Sequence, residues 1–402
     1  MDIKKQIIFD KFVAKPIAYL LNFLVRIVGK LTSINHDLNR EFKSIAICKF
    51  KGMGSILQAT PMIDAIRKKY PSAQIIFVST TSNQKILEKI TAIDTIVTVN
   101  ESNLSTFFVT NLKALYKLIK IRPDVYIDLE IYSDYSTLFT LSTLSKNRIG
   151  FYLRSSSFRM GIYTHMMFFN PRVPISNVYL QIALLLGCDI ENSVLLNLKE
   201  NLPENTKRDR EYIVINPNAS DLRLERKWGK ENFIQLIESI QNNYPEFDIL
   251  LVGSKIEEEY TSEITRSFSS PRIINTAGKT TIDELIEIIS NARLMISNDT
   301  GPMHIAFCAD TPIICLFGPC SPEQYGMNKN AHVIYKNAYC SPCVHDFEIP
   351  PCKGDNVCMK LISAKEVYEK VTELLNNTLE NNSLKNSFLY KNETTVFGQV
   401  NR

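Results

Sequence analysis

The sequence predicts an α/β protein of two Rossmann-like, doubly wound domains facing a cleft. Three observations carry this: β-rich and helical runs alternate from Ser44, the alternation restarts at Glu211, and 402 residues at 45% hydrophobic content suffice for two cores. The first cycle reads SIAICKF, Ile56–Lys69, QIIFVST, Gln84–Ile90, TIVTV, Leu112–Lys120 and DVYIDLE. The second reads EYIVINP, Phe233–Asn242, FDILLVG, Ile256–Phe268, RIINTAG, Ile282–Ile289, LMISND and PIICLFG. Such alternation builds parallel sheets with helices on both faces. Between the cycles, ENLPENTKRDR offers Pro, Asn and charge without periodicity. It marks a linker at 197–210, between an N-terminal domain at 44–196 and a C-terminal domain at 211–376. Thr281 and Glu284 make a capping box ahead of Leu285, Ile286 and Ile289. The last periodic element is Ala364–Leu375, and the Asn-rich residues 377–402 are expected to be a disordered tail.

Residues 1–43 form a separate helical segment. An apolar face at Ile17, Leu20, Leu21, Leu24, Ile27 and Leu31 opposes a narrow stripe of Lys11, Lys15, Arg26 and Lys30. The uncharged run Pro16–Val25 is short of the roughly 20 residues a spanning helix needs. The pattern fits a helix lying on an anionic membrane surface, or one packed on the domain behind it. A net charge of +4 from 46 basic and 42 acidic residues excludes a general polyanion binder, so nucleic acid is not an expected partner.

Nine cysteines without a cleavable signal pattern point to a reducing, cytoplasmic setting. Cys48, Cys188, Cys308, Cys315 and Cys320 sit in or beside apolar runs and read as small buried hydrophobes. Cys340, Cys343, Cys352 and Cys358 differ, forming C-x2-C-x8-C-x5-C in a loop rich in Pro, Gly and Asp. Four thiolates at such spacing are candidates for a structural zinc, with packed free thiols or disulfides as alternatives.

The richest stretch is ISNDTGPMHIAFCADTPIICLFG, residues 296–318, which reads as strand, polar turn, helix start and second strand. A helix N-terminus presents unpaired N–H groups and partial positive charge, so this turn suits a phosphate or diphosphate. Asp299, Thr300, Gly301 and His304 fall there, with Thr300 a candidate cap and Gly301 open to a ligand. At the matching place after YIVINPNAS come Arg223, Arg226, Lys227 and Trp228, whose cations suit a departing diphosphate without a metal. Glu257, beyond the strand-end Gly253, is spaced for a ribose. In the first cycle, Lys51, Gly52, Gly54 and Ser55 make a glycine-bearing loop after the first strand, and Asp128, Glu130 and Asp134 lie at or beyond another strand end. Carboxylates so placed are candidate general bases, Asp128 being better read as structural. No G-x-G-x-x-G follows a predicted strand, which weakens a dehydrogenase reading.

The order KFKGMGSILQATPMIDAIRKKYPSA, NPNAS…ERKW and ISNDTGPMHIAFCADTPIICLFGP with SPEQYG behind it resembles glycosyltransferase family 9, the heptosyltransferases of lipopolysaccharide assembly. The likeness runs from about Ser44 to Leu375. It implies a GT-B fold, an inverting mechanism and a nucleotide-diphospho-sugar donor, usually ADP-heptose, held by the second domain with no metal or other cofactor required. The acceptor implied is a lipopolysaccharide or related glycolipid at the inner face of the cytoplasmic membrane. Carried over, Asp299, Thr300, Gly301 and His304 line the donor diphosphate and sugar. Arg226 replaces the family's phosphate-binding lysine, Lys227 assists it, and Glu257 falls where a ribose-binding glutamate is expected. One departure matters: the family's Gly-Asp at the first helix, whose aspartate is the expected base, is here Gly54–Ser55. An unassisted serine is a poor base near neutral pH. Glu130 is then the first candidate for that role and Asp134 the second; the alternative is an inactive member that binds nucleotide sugar or glycan as a partner protein.

Overall fold

The computed structural model describes residues 10–153, 159–200, 209–219, 223–347 and 350–381. Its strands are mostly buried apolar runs, which pair in parallel under helical cover on both faces. The first sheet contains β1 (Ser44–Cys48), β2 (Gln74–Thr80), β3 (Thr95–Val99), β4 (Val125–Asp128), β5 (Asn147–Tyr152) and β6 (His165–Phe168). The second contains β7 (Tyr212–Asn216), β8 (Asp248–Leu251), β9 (Ile273–Asn275), β10 (Leu294–Asn298), β11 (Ile313–Phe317) and β12 (Ala331–Tyr335). Their orders, β3-β2-β1-β4-β5-β6 and β12-β11-β10-β7-β8-β9, are the same winding, and every pairing is parallel. Each winding reverses once, between β1 and β4 and between β7 and β10. At those two places a crevice opens beyond the carboxyl ends of the strands.

The helices longer than one turn are α1 (Lys15–Thr32), α2 (Met53–Gln58), α3 (Thr60–Lys69), α4 (Leu104–Ile121), α5 (Asp134–Ser142), α6 (Ile175–Leu185), α7 (Lys230–Asn243), α8 (Glu258–Thr265), α9 (Ile282–Ser290), α10 (Gly301–Cys308) and α11 (Ala364–Asn381). The run expected as one helix over Ile56–Lys69 is two, because Pro61 lies in the first turn of α3 and cannot donate to Leu57. The Thr60 hydroxyl takes up that carbonyl at 2.7 Å. α4 begins eight residues before its expected start, where Asn103 Oδ1 accepts from the Thr106 amide at 2.9 Å and caps it. α11 continues to Asn381, so residues 377–381 of the expected tail are helical, whereas 382–402 lie outside the described residues. The expected linker is also mostly outside them, at 201–208. β5, β6, β12, α5 and α6 were not anticipated: β6 and β12 are edge strands with exposed residues, so neither carries a continuous buried run.

α1 is preceded by one wide turn, Asp10–Ala14, and buries only Ala14 and Ala18. Ala18 packs with Ile162 and Tyr163 beside Leu138 and Leu141 of α5. Phe12–Thr32 is apolar and long enough, at 21 residues, to cross a membrane. Its docking on α5 instead lays it against the first half of the molecule.

α2 of the first half packs against α10 of the second. Leu57 and Ile86 join the second half's core with Val214, Met303 and Phe317. Gln58 Nε2 meets His304 Nδ1 at 3.1 Å, and Lys89 pairs with Asp283 at 2.5 Å. Gly54 permits the approach: a Cβ there would lie 2.1 Å from His304 Cδ2. Gly54→Ala should therefore cost about 1–3 kcal/mol by overpacking this contact, read as a lower urea midpoint at unchanged slope.

Candidate active site

At the reversal of the second sheet, short polar side chains tie three loops together. Asn216 Nδ2 donates to Ser297 Oγ at 3.0 Å and Thr300 Oγ1 at 2.6 Å. Asn218 Nδ2 donates to the Val252 carbonyl at 2.8 Å. Asn298 Nδ2 donates to the carbonyls of Pro217 and Asn218 at 3.0 and 3.1 Å. β10 then delivers Asp299, buried, to the start of α10. Facing it is Arg226, from the 3₁₀ turn Leu224–Arg226. Its NH1 donates to the Asp299 carbonyl at 3.2 Å, and its Nε lies 3.5 Å from Asp299 Oδ2.

Burial would lower the Arg226 pKa, but the Asp299 charge outweighs it and holds the guanidinium firmly protonated. Two buried amide oxygens here, Asn218 Oδ1 and Asn298 Oδ1, lack a hydrogen-bond partner, while Arg226 Nε and Asp299 Oδ2 face each other as an ion pair without a hydrogen bond. Buried polar atoms are normally satisfied, and leaving one unpaired costs about 1–3 kcal/mol, so their concentration at one crevice marks a seat for a polar ligand.

The other residues expected at the donor are placed differently. Thr300 is the N-cap residue of α10, but its side chain makes no capping bond and is held by Asn216. A Cβ on Gly301 would approach Met53 Cε at 2.7 Å, so the neighbour at that glycine is a side chain of the first half. The His304 ring is buried under α2, and loss of water pushes its pKa down to about 4, so it is neutral. Lys227 turns its ammonium over the Tyr260 ring, 3.9 Å from the centroid, in a cation–π contact. Glu257 Oε2 closes a capping box by accepting from the Ser254 amide at 2.7 Å and its hydroxyl at 2.8 Å.

The reversal of the first sheet holds a buried ion pair. Glu130 accepts from Lys49 Nζ at 2.7 Å and from the amides of Phe50 and Lys51 at 2.8 and 2.9 Å. Burial alone would raise its pKa, but Lys49 and these hydrogen bonds outweigh it and hold the carboxyl below its ordinary value. Both oxygens are occupied and the carboxylate is a weaker base than a free glutamate. Glu130 instead clamps the loop that leads, through Gly52 at φ +87°, into α2. Asp128 is structural as expected, accepting from Tyr163 at 2.5 Å and the Glu130 amide at 2.9 Å. Ser55 lies half-buried in the first turns of α2. Asp134 is the first residue of α5, half-buried, on the loop that follows β4.

Three aromatic residues not anticipated bridge the halves. Tyr132 stacks on His345 with centroids 4.8 Å apart, and the Tyr325 hydroxyl lies 3.2 Å from His345 Nε2. Desolvation and then the Arg226 charge push the His345 pKa down to about 4. A histidine inside CSPCVHD reads as part of a cysteine loop, so no sequence signal pointed to the cleft. The four cysteines of that loop are free thiols that feel one another's charge. Among the described residues no group of three or more His, Cys, Asp or Glu is arranged to hold a metal ion. Cys343 and Cys358 are buried, while Cys340 and Cys352 are partly exposed.

Two same-order Rossmann-like sheets, with one crevice each turned to a shared cleft, define the GT-B fold. The profile of glycosyltransferase family 9 (heptosyltransferase) matches residues 135–352, and the chain belongs to that family. It is 23% identical over 332 residues to lipooligosaccharide heptosyltransferase 2 of Campylobacter jejuni subsp. jejuni serotype O:2, covering 81% of this chain and 96% of that protein. Over 284 residues it is 25% identical to an Escherichia coli lipopolysaccharide heptosyltransferase 3, covering 66% and 80%. The solved E. coli ADP-heptose lps heptosyltransferase II superposes at a TM-score of 0.66 and 18% identity, over 84% of this chain and 99% of that one.

Glu130→Gln should remove about 3 kcal/mol of stability at pH 7, since breaking a buried pair strands the Lys49 charge. The native carboxyl titrates below its unfolded value, so its contribution is full above about pH 4.3 and fades as pH falls through the lower folded value. Urea melts of both proteins from pH 7 to 3 should converge at the acid end.

Proposed function

We propose that this enzyme moves a heptose or related sugar from a nucleoside-diphosphate donor, ADP-heptose first among them, to a lipopolysaccharide or other cell-surface glycolipid. The transfer inverts the anomeric carbon and uses no metal. One observation carries the reading: protonated Arg226 beside Asp299, with unpaired buried polar atoms around them, at the N-terminus of α10. A departing diphosphate has the charge that guanidinium and helix amides complement, so both stabilise the transition state where charge develops. The relatives' names supply the substrate class, and one structure of this fold is E. coli heptosyltransferase WaaC with ADP-2-deoxy-2-fluoro heptose, at a TM-score of 0.63 and 16% identity.

With Glu130 committed to Lys49, Asp134 takes the acceptor proton as the hydroxyl oxygen attacks the anomeric carbon. Attack in line with the leaving diphosphate inverts that carbon in a single displacement, and the electron pair of the broken bond stays on the diphosphate oxygen, whose charge Arg226 stabilises. Closure of the α2–α10 contact keeps water from the donor. The apolar surface of α1 holds the enzyme on the anionic inner face of the cytoplasmic membrane. Ser55 favours a second reading, a binding protein without turnover. Intact donor affinity with neither transfer nor donor hydrolysis would select it.

Three outcomes test the proposal. In a thermal-shift panel of ADP-, GDP-, UDP- and CDP-sugars, ADP-heptose should raise the midpoint most, since ligand at 100 times Kd adds about 2.7 kcal/mol. Arg226→Ala should weaken ADP-heptose binding in calorimetry by about 10- to 100-fold, the loss of a charged hydrogen bond. Asp134→Asn should lower kcat by about 10²–10⁴ with donor affinity unchanged, and normal turnover would remove Asp134 from the mechanism.

A further inference from the structure

α4 presents a second apolar surface that the transfer reaction does not use. Its inner side, Asn111, Ala114 and Leu118, is buried against the first sheet. On its outer side Leu104, Phe108, Leu112 and Tyr116 recur every four residues and are each more than half exposed. Residues four apart form one continuous ridge on a helix. A solvent-facing ridge normally carries mixed charge, but Lys113, Lys117 and Lys120 flank this one and α4 contains no Asp or Glu.

α1 repeats the pattern. It exposes Leu20, Phe23, Leu24, Ile27 and Leu31, carries Lys15, Arg26 and Lys30, and likewise has no acidic residue. α5 joins the two: Tyr135 and Phe139 share the core beneath α4, where Phe107 lies 5.4 Å from Tyr135, while Leu138 and Leu141 support α1. Both ridges thus belong to one side of the first half.

We propose that α4 and α1 together form the membrane-docking face, with the α4 ridge buried in the headgroup and upper acyl region and its lysines reaching anionic phosphates. This rests on the membrane reading of α1 and adds a second, separate contact. Charge selects the occupant: two apolar ridges edged only by cations complement an anionic lipid surface and would repel the same face of a second copy. α4 starts five residues beyond β3, at the carboxyl-end rim of the sheet. The bilayer therefore reaches the edge of the cleft, where a lipid-anchored acceptor would enter.

The test uses the full chain and sedimentation with vesicles of phosphatidylglycerol and phosphatidylethanolamine, against neutral phosphatidylcholine. The quadruple variant Leu104→Ser, Phe108→Ser, Leu112→Ser and Tyr116→Ser should lose at least about tenfold in partitioning to anionic vesicles while keeping its thermal midpoint. Should it unfold, Phe108→Trp gives an independent reading. The native Trp228 is buried, so the added indole should shift to the blue on anionic vesicles. Unchanged partitioning with no Phe108→Trp shift, alongside loss on Leu20→Ser with Phe23→Ser, would overturn the α4 contact and leave α1 standing. No binding by the wild-type protein would overturn both. Equal binding to neutral vesicles, or a wild-type dimer that the quadruple variant makes monomeric, would overturn the anionic-lipid assignment.

Discussion

A parallel sheet buried on both faces can admit a ligand only where its winding reverses. Every other strand end is closed by a crossover running the same way as its neighbour. This chain meets that constraint twice with the same strand order, so β1 and β4 open one crevice and β7 and β10 the other. The residues that begin the loops after those four strands are Lys49, Leu129, Pro217 and Asp299. Most of the chemistry lies within a few residues of them, and the α2–α10 contact turns the crevices toward each other.

The two crevices hold buried charges of opposite character. Lys49 and Glu130 are fully paired at 2.7 Å, with backbone amides on the remaining oxygen, and such closure fixes a loop. Arg226 Nε and Asp299 Oδ2 stand 3.5 Å apart as an ion pair without a hydrogen bond between them. A completed pair has nothing left to offer a substrate, whereas an incomplete one is arranged for a third charge. That difference is why the proposed function gives the ligand role to the second pair, though both couple a cation to a carboxylate at a strand end.

The remaining polar residues of the family-like motifs serve the framework more than was expected. Thr300 is held by Asn216, His304 is buried under α2, and Glu257 caps a turn. In the proposed reading, donor recognition rests on Arg226, Asp299 and the amides that open α10. The side of the first half that carries α4 and α1 is separate from both crevices and is defined by apolar exposure edged with cations.

Period and composition by themselves determined the fold class, the two cycles of strands, the capping box at Thr281, the apolar α1 and the strand, turn and helix start at residues 296–304. These are local signals: burial on both faces imposes a continuous apolar run, and a helix start imposes its cap. Strands β6 and β12 escaped because β6 buries none of its residues fully and β12 only one. Only the tertiary structure decided which carboxylate was already spent, that Lys227 turns to Tyr260, and that His345 meets Tyr132 across the cleft. Each of these depends on what stands opposite a side chain after strands and loops distant in sequence are brought together, and no spacing along the chain encodes that neighbour.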